Sequence, residues 1–290
     1  MIETKGEKTF RLINYIFLGI ISLAALYPFV YVLSASISSP ASIVTGKVTL
    51  LPQNIRFDSY KQLLTDNTIL IAYANTIYYT VVGTLASMVL TILGAYALSK
   101  KRLRGRTLFT IFITITMWFD AGMIPTYLNM KDLGLLDTRM ALIIAFACNT
   151  FNIILLRSFF ESVPEELEEA AFMDGAKDYR ILWKIYLPLS KAALATVGLF
   201  YAISRWNGYF WAMVIIRDES KMPLQVLLKK LIVENSLGQE FSTAIDPTTL
   251  VSAETITYAT IVVSVIPIIL IYPFIQKYFV KGVMVGAVKG

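Results

Sequence analysis

Histidine is absent from this 290-residue chain, and cysteine occurs once, as Cys148. The single thiol excludes a disulfide within the chain and, without histidine, a Cys/His metal cluster. The most common general acid–base side chain is missing too. Charge is scarce: Asp, Glu, Lys and Arg make up 16% of the residues, whereas 56% are hydrophobic. Since a soluble domain of this length needs far more polar surface, the composition predicts a membrane protein.

Six stretches are apolar enough, and long enough, to cross a bilayer as helices. The hydrocarbon core requires about 20 mostly apolar residues per helix. Asp120 and Arg205 lie well inside the third and fifth stretches. The prediction is an all-α membrane protein forming a single transmembrane domain over 1–290, with spans near 12–34, 69–98, 107–130, 140–160, 192–216 and 255–278.

The net charge of +6 is explained by topology. The short loop Lys100–Arg106 is rich in basic residues and contains no acidic one. Positively charged loops stay on the cytoplasmic side, so this loop, the N-terminus and the C-terminus are predicted to be cytoplasmic. The expected surroundings are membrane lipid, and nucleic-acid binding is not expected.

The third span contains a polar interruption from Asp120 to Pro125. Non-helical backbone at membrane depth is tolerated only where it faces protein or a water-filled cavity. A break or bend is therefore expected here. Asp120 either caps that break or contacts substrate.

One long polar stretch on the predicted cytoplasmic side covers residues 161–190. Ser162 and Glu165 have the spacing of a capping box, which predicts that a helix begins here. Asp174-Gly175 predicts its end, because glycine readily adopts the left-handed conformation of a helix cap.

A second short helix is expected over Tyr179–Tyr186. Asp178 can cap its start, and Pro188 is expected to end it. Two short helices at a bend outside the membrane would form a knob for docking another protein. Its apolar face comprises Leu167, Ala170, Ala171 and Met173.

This segment resembles the EAA motif of ABC importer permeases. The pattern is Glu169-Ala170-Ala171, two residues, Asp174-Gly175-Ala176, and later Leu187-Pro188. The resemblance implies a type I ABC importer permease fold in which this loop is a coupling helix, seated in a groove of the nucleotide-binding subunit. The residues it assigns to ATPase coupling are Glu168, Glu169, Ala170, Ala171, Met173, Asp174, Gly175, Ala176, Leu187 and Pro188.

Other segments resemble carbohydrate-importer permeases of the maltose-permease type, in particular the smaller partner. They are Asn75-Thr76, Gly94–Ser99, Trp206-Asn207 and the tail Gly282–Gly290. The subgroup most similar imports oligosaccharides from complex polysaccharides, some of them acidic and uronate-containing.

The resemblance further implies an assembly in a bacterial cytoplasmic membrane, of Gram-positive type. The expected partners are a second homologous permease in a heterodimer, two ATP-binding cassette subunits and an extracellular solute-binding protein. ATP and Mg would bind those cassette subunits, and no cofactor would bind this chain. The residues alone do not exclude a homodimer.

The fifth span combines aromatic and polar side chains in a way that suits a sugar. Aromatic faces pack on sugar rings, while Asn and Arg side chains hydrogen-bond hydroxyls or a carboxylate. The alternative is an aromatic belt at the interface, with Arg205 paired to Asp120. The candidate substrate-pathway residues are Asp120, Arg205, Trp206, Asn207, Phe210 and Trp211.

Two other functions would fit a polytopic protein. A secondary, ion-coupled transporter of small polar solutes would need intramembrane ion sites, for which Asp120 and Arg205 are the candidates. A membrane enzyme acting on lipid-linked glycans would need catalytic carboxylates, and the acidic cluster lies on the docking helix. The sequence has no Gly-rich phosphate-binding loop, so this chain is not expected to hydrolyse ATP itself. Co-purification of an ATPase distinguishes the importer from both.

Overall fold

The computed structural model describes residues 5–240 and 254–273, and the regular structure in these ranges is helical. Within them the chain forms two compact units, one of residues 5–70, 228–240 and 254–267, the other of residues 71–227 and 268–273. The α-helices are α1 (Lys5–Ser36), α2 (Pro40–Val44), α3 (Asp58–Thr65), α4 (Asn67–Ser99), α5 (Arg106–Ile115), α6 (Met123–Asp132), α7 (Arg139–Ile144), α8 (Thr150–Glu161), α9 (Glu165–Met173), α10 (Asp178–Ile181), α11 (Leu187–Leu189), α12 (Lys191–Asn207), α13 (Phe210–Ile215), α14 (Leu224–Glu240) and α15 (Glu254–Pro273).

Three helices in the described residues are long and apolar enough to cross a membrane unaided: α1, α4 and α15. They match the first, second and sixth predicted spans, although residues 274–278 of the sixth lie outside the described ranges. Each forms because an uncharged apolar run must satisfy its backbone groups internally in lipid. In the first unit, Ala35, Ile43 and Val48 form a small core. Tyr31 of α1 and Tyr258 of α15 pack against it, and their two rings meet edge to face.

The third, fourth and fifth predicted spans, over 107–130, 140–160 and 192–216, are each divided into two helices, and the sequence predicted a break only in the third. The third span is divided into α5 and α6, and the gap begins at Thr116, earlier than Asp120. The fourth is divided into α7 and α8, a break that the sequence interpretation missed. The fifth is divided into α12 and α13, where Gly208 follows the last helical residue of α12.

Among the described residues of the second unit, buried side chains form two hydrophobic cores. One joins the end of α4 to α8, to the segment 163–187 and to α12, with Tyr96, Phe160, Ile181 and Val197 among its buried members. The other joins Tyr79 of α4 to α7, α13 and the start of α14. Interior packing is close enough to transmit displacement. The first core therefore joins the polar segment to α4, α8 and α12.

Candidate functional site

The polar segment begins with α9, whose start differs from the prediction. Ser162 donates its hydroxyl hydrogen bond backward to the carbonyl of Phe159, and the residue at the N-cap is Pro164. The predicted capping box is therefore wrong. The helix start is stabilised by proline, which fixes φ, and by carboxylates in the first turn, which complement the helix dipole.

Asp174-Gly175 ends α9 as predicted, through a Schellman motif. Gly175 has φ +73°, and its N–H donates to the carbonyl of Phe172 at 2.9 Å. The N–H of Ala176 donates to the carbonyl of Ala171, also at 2.9 Å. A hydrophobic contact between these last two positions commonly accompanies this motif. Here both alanines pack against the buried core.

The motif residues therefore divide between two sides of α9. Glu169, Ala170 and Asp174 are exposed, and the Met173 side chain is 88% exposed. The outward group thus combines charge, a small residue that permits close approach, and a flexible apolar side chain. The inward alanines hold α9 to the protein.

The second helix of the segment differs from the prediction at both ends. Lys177 occupies the N-cap, so Asp178 does not cap the helix; its carboxylate instead accepts a hydrogen bond from Arg102. The chain stays helical through a π-helical turn at Leu182–Tyr186 and continues past Pro188 to Leu189. A proline lacks the N–H and crowds the preceding turn, and a π turn relieves both constraints. A bend of 86° then leads into α12.

Glu168 faces the protein and binds the loop after α4. Its Oε2 lies 2.6 Å from Lys100 Nζ and accepts a hydrogen bond from the Tyr186 hydroxyl at 2.6 Å. The Lys100 ammonium also sits over the rings of Tyr96 and Tyr186, at 4.1 and 3.6 Å from their centroids. Lys100 and Glu168 side chains are 9% and 13% exposed. We call Tyr96, Lys100, Glu168 and Tyr186 the latch.

The electrostatics of the latch favour the ionised carboxylate. Burial alone would raise the pKa of Glu168, but the hydrogen bonds from Lys100 and Tyr186 outweigh it, and the pKa is lowered. Arg102, 3.6 Å from the other carboxylate oxygen, acts in the same direction. Glu168 therefore serves as an internal tether, whereas Glu169 points outward.

A cavity of about 800 Å³ lies at the breaks in the fourth and fifth spans. Of the predicted pathway residues, Arg205, Asn207, Phe210 and Trp211 line it. Trp206 is buried outside the lining, with its ring 5.9 Å from that of Tyr73.

Asp120 is also outside the lining. Its carboxylate accepts from the Gly122 backbone N–H at 2.6 Å, within the gap of the third span. The pairing of Arg205 with Asp120 is not present. Arg205 instead donates to backbone carbonyls at the end of α7.

Sequence reasoning missed Lys100 and Tyr201. The sequence indicates Lys100 only as a topology signal. Tyr201 lies in an apolar run, yet it bonds Thr91 at 2.7 Å and accepts from the Asn149 N–H at 3.1 Å. Asn149 followed by Thr150 is a helix-start signal that could have predicted the break, since the Asn149 side chain caps α8.

Comparison with known proteins settles the family. Residues 97–285 match the family described as binding-protein-dependent transport system inner membrane component. This chain belongs to that family.

The following relatives align with this permease over almost its full length. It is 41% identical to the polygalacturonan/rhamnogalacturonan transport system permease protein YtcP of Bacillus subtilis (strain 168), over 98% of this chain and 99% of that one. It is 38% identical to protein LplC of the same organism, over 100% and 98%. A chain in the crystal structure of a bacterial ABC transporter involved in the import of the acidic polysaccharide alginate is 51% identical, with a TM-score of 0.87 over 96% of this chain and 99% of that chain.

These likenesses make the chain a multi-pass inner-membrane permease subunit of an ABC system and not a catalytic subunit. They leave no support for the ion-coupled transporter or for the glycan-processing enzyme.

The permease anchors its loop after α13 to the start of the second span. The Asn75 side-chain amide donates to the carbonyls of Ser220 and Met222, at 2.8 and 3.1 Å. The Thr76 hydroxyl accepts from the Leu224 N–H at 2.7 Å. The pair Asn75-Thr76, singled out by resemblance alone, therefore has a definite structural role.

Proposed function

We propose that this permease forms part of the translocation pathway of an ATP-driven importer of polysaccharide-derived oligosaccharides, acidic ones among them. Similarity to a polygalacturonan/rhamnogalacturonan transport system permease and to a transporter involved in the import of the acidic polysaccharide alginate supports this substrate class. The cavity supports it independently, because Phe210 and Trp211 offer aromatic faces and Asn207 offers an amide.

The coupling role is carried by one observation: α9 is exposed on one side and locked to the membrane helices on the other. The outward side, with Glu169, Ala170, Met173 and Asp174, would seat in an ATP-binding cassette subunit. The inward side is held by Ala171 and Ala176 of the Schellman motif and by the latch. A displacement of α9 would thus reach α4, α8 and α12 through one packed core.

The mechanism that follows is alternating access. Two cassette subunits would bind ATP and Mg, close on each other and draw the coupling segments together. The permease would then open toward the solute-binding protein, and hydrolysis would reverse the change. Leu187 and Pro188, at the base of the segment, would act by setting the π turn and the 86° bend into α12.

A second, homologous permease would complete the pathway. Large apolar side chains near the gap of the third span are strongly exposed, including Phe112 at 70%, Trp118 at 81% and Phe119 at 76%. Such a surface suits a partner permease or lipid.

The remaining features of the assembly are proposed from topology and similarity. Six spans in a type I arrangement, with both termini and α9 cytoplasmic, agree with the basic loop Lys100–Arg106. Similarity to two Bacillus subtilis proteins supports a host of Gram-positive type.

Cross-linking tests the docking surface directly. Cys148 is the only cysteine, so Cys148→Ala gives a background free of thiols. Met173→Cys in that background should cross-link to a co-expressed cassette subunit through a short bifunctional reagent. Lys8→Cys, exposed near the start of α1, is the control and should not. Equal cross-linking of both, or of neither, contradicts the docking proposal.

Substrate class is tested separately by stimulation of ATPase activity in lipid, with the binding protein present. A panel of neutral and uronate-containing oligosaccharides of matched length should stimulate hydrolysis. If monosaccharides or non-sugar solutes stimulate and no oligosaccharide does, the substrate proposal is wrong even where docking holds.

A further inference from the structure

The break in the fourth span creates unsatisfied backbone groups at membrane depth. The carbonyls at the end of α7 and the N–H groups at the start of α8 have no partners within their own helices. In lipid each such group costs several kcal/mol unless another part of the protein binds it. The break can persist only if a neighbour supplies those partners.

Helix α12 supplies them from two side chains one helical turn apart. The terminal nitrogens of Arg205 donate to the carbonyls of Leu142, Ile143 and Phe146, the last two at 3.1 and 2.8 Å. At the other end of the break, the Tyr201 hydroxyl accepts from the Asn149 N–H at 3.1 Å.

Two residues of α4 complete this arrangement. Ser87 Oγ accepts from Arg205 at 3.3 Å, and Thr91 Oγ1 bonds the Tyr201 hydroxyl at 2.7 Å. Gly83 leaves the space for the arginine stem, since a Cβ at Gly83 would lie 3.1 Å from Arg205 Nε. The arginine charge is stabilised by the negative end of the α7 dipole. Among the ion pairs of the described residues none involves Arg205.

We propose that Arg205 and Tyr201 are positioning residues that hold the break in the fourth span against α12 and so fix one wall of the cavity. Arg205 is then not a ligand for the uronate carboxylate, because its terminal nitrogens are committed to backbone carbonyls and Ser87. Within the described lining, Arg205 is the single charged side chain. This wall of the cavity therefore selects for sugar rings and hydroxyls, and the substrate charge is met elsewhere in the assembly. Only the part of this inference that concerns substrate specificity rests on the proposed carbohydrate pathway; the positioning role does not.

Kinetics with paired substrates test the specificity part. Arg205→Met, Arg205→Lys and Tyr201→Phe are compared for a neutral and a uronate oligosaccharide of equal length, with ATPase stimulation as the readout. We expect the maximal stimulation of ATPase activity to fall about tenfold for both substrates in both Arg205 variants, since a lysine ammonium cannot reproduce the planar set of N–H donors of a guanidinium group. The ratio of the two KM values should stay within about twofold of wild type. A tenfold rise in KM for the uronate substrate alone in Arg205→Met, with Arg205→Lys near normal, overturns the inference.

Cys148 provides a second test that needs no substrate. This thiol lies within the break, exposed and lining the cavity. Loss of Arg205 or Tyr201 should loosen the backbone at the break and speed maleimide labelling of Cys148 at least threefold. Ser87→Ala, which retains both residues, should give a smaller increase. Unchanged labelling in Arg205→Met and Tyr201→Phe contradicts the positioning role. If no oligosaccharide stimulates hydrolysis while labelling responds as expected, the proposed substrate fails and the positioning role stands.

Discussion

Removing the Glu168 carboxylate should free the coupling helix from the protein. Glu168→Ala leaves the Lys100 ammonium, with its side chain 9% exposed, without its anionic partner. Breaking one side of a buried ion pair costs about 3–5 kcal/mol. The lower end applies here, because the rings of Tyr96 and Tyr186 continue to stabilise the ammonium. A loss of about 3 kcal/mol corresponds to roughly a hundredfold in an equilibrium constant.

Hydrogen exchange of the α9 amides measures that change, because local opening precedes exchange. Glu168→Ala should accelerate exchange in α9 roughly a hundredfold, while exchange in the middle of α4 stays at its wild-type rate. Glu166→Ala, an exposed glutamate in the first turn of the same helix, is the matched control. The double variant Lys100→Met with Glu168→Leu should recover most of the protection, since no buried charge is left unpaired. If Glu166→Ala and Glu168→Ala accelerate exchange equally, the latch does not hold α9.

Three further predictions follow from individual contacts. Gly83→Ala should destabilise the permease by about 1–3 kcal/mol in thermal unfolding, because the new Cβ would displace Arg205. Gly198→Ala is the control and should be nearly neutral, because its Cβ would lie 3.8 Å from Met88. Equal destabilisation by the two variants would contradict this reasoning. Asn75→Asp replaces a donor to two carbonyls by an acceptor and should cost about 1–3 kcal/mol in the same assay; an unchanged melting temperature would refute it. Hydrogen bonds from the backbone N–H groups of Asp218 and Arg217 lower the pKa of the Asp137 carboxyl. The stability that this carboxylate gives to the loop of residues 217–221 is therefore complete above the ordinary pKa of 3.8, and it is lost as pH falls through the lowered pKa. Limited pepsin digestion should therefore detect release of residues 217–221 only below about 3.8, and release already at pH 5 would be the contrary result.

The sequence predicted what depends on composition and on strongly local chemistry. The uncharged runs of α1, α4 and α15 predicted spans, because length and apolarity alone determine them. Asp174-Gly175 predicted the end of α9, because the left-handed conformation at Gly175 is a local requirement.

The failures occurred where a distant side chain determines the local structure. Asn149-Thr150 marks the start of α8 locally, but the side chains that bind the backbone groups of the break between α7 and α8 are Arg205 and Tyr201, which lie far along the chain. The inward direction of Glu168 depends on Lys100 in another loop, so motif spacing alone could not separate it from the outward Glu169. Local propensity likewise could not reveal that Pro188 is accommodated by a π turn.

The central claim is that the outward side of α9 couples this permease to ATP hydrolysis. The measurement that tests it most directly is oligosaccharide-stimulated ATPase activity of the co-expressed complex in lipid, for wild type, Gly175→Asp and Glu169→Lys. Gly175→Asp forces a side chain into φ +73°, and Glu169→Lys reverses a charge on the outward side. Stimulation in wild type, with loss in both variants that still insert into the membrane, is the predicted result. Variants as active as wild type, or a complex with no associated ATPase, would contradict the account.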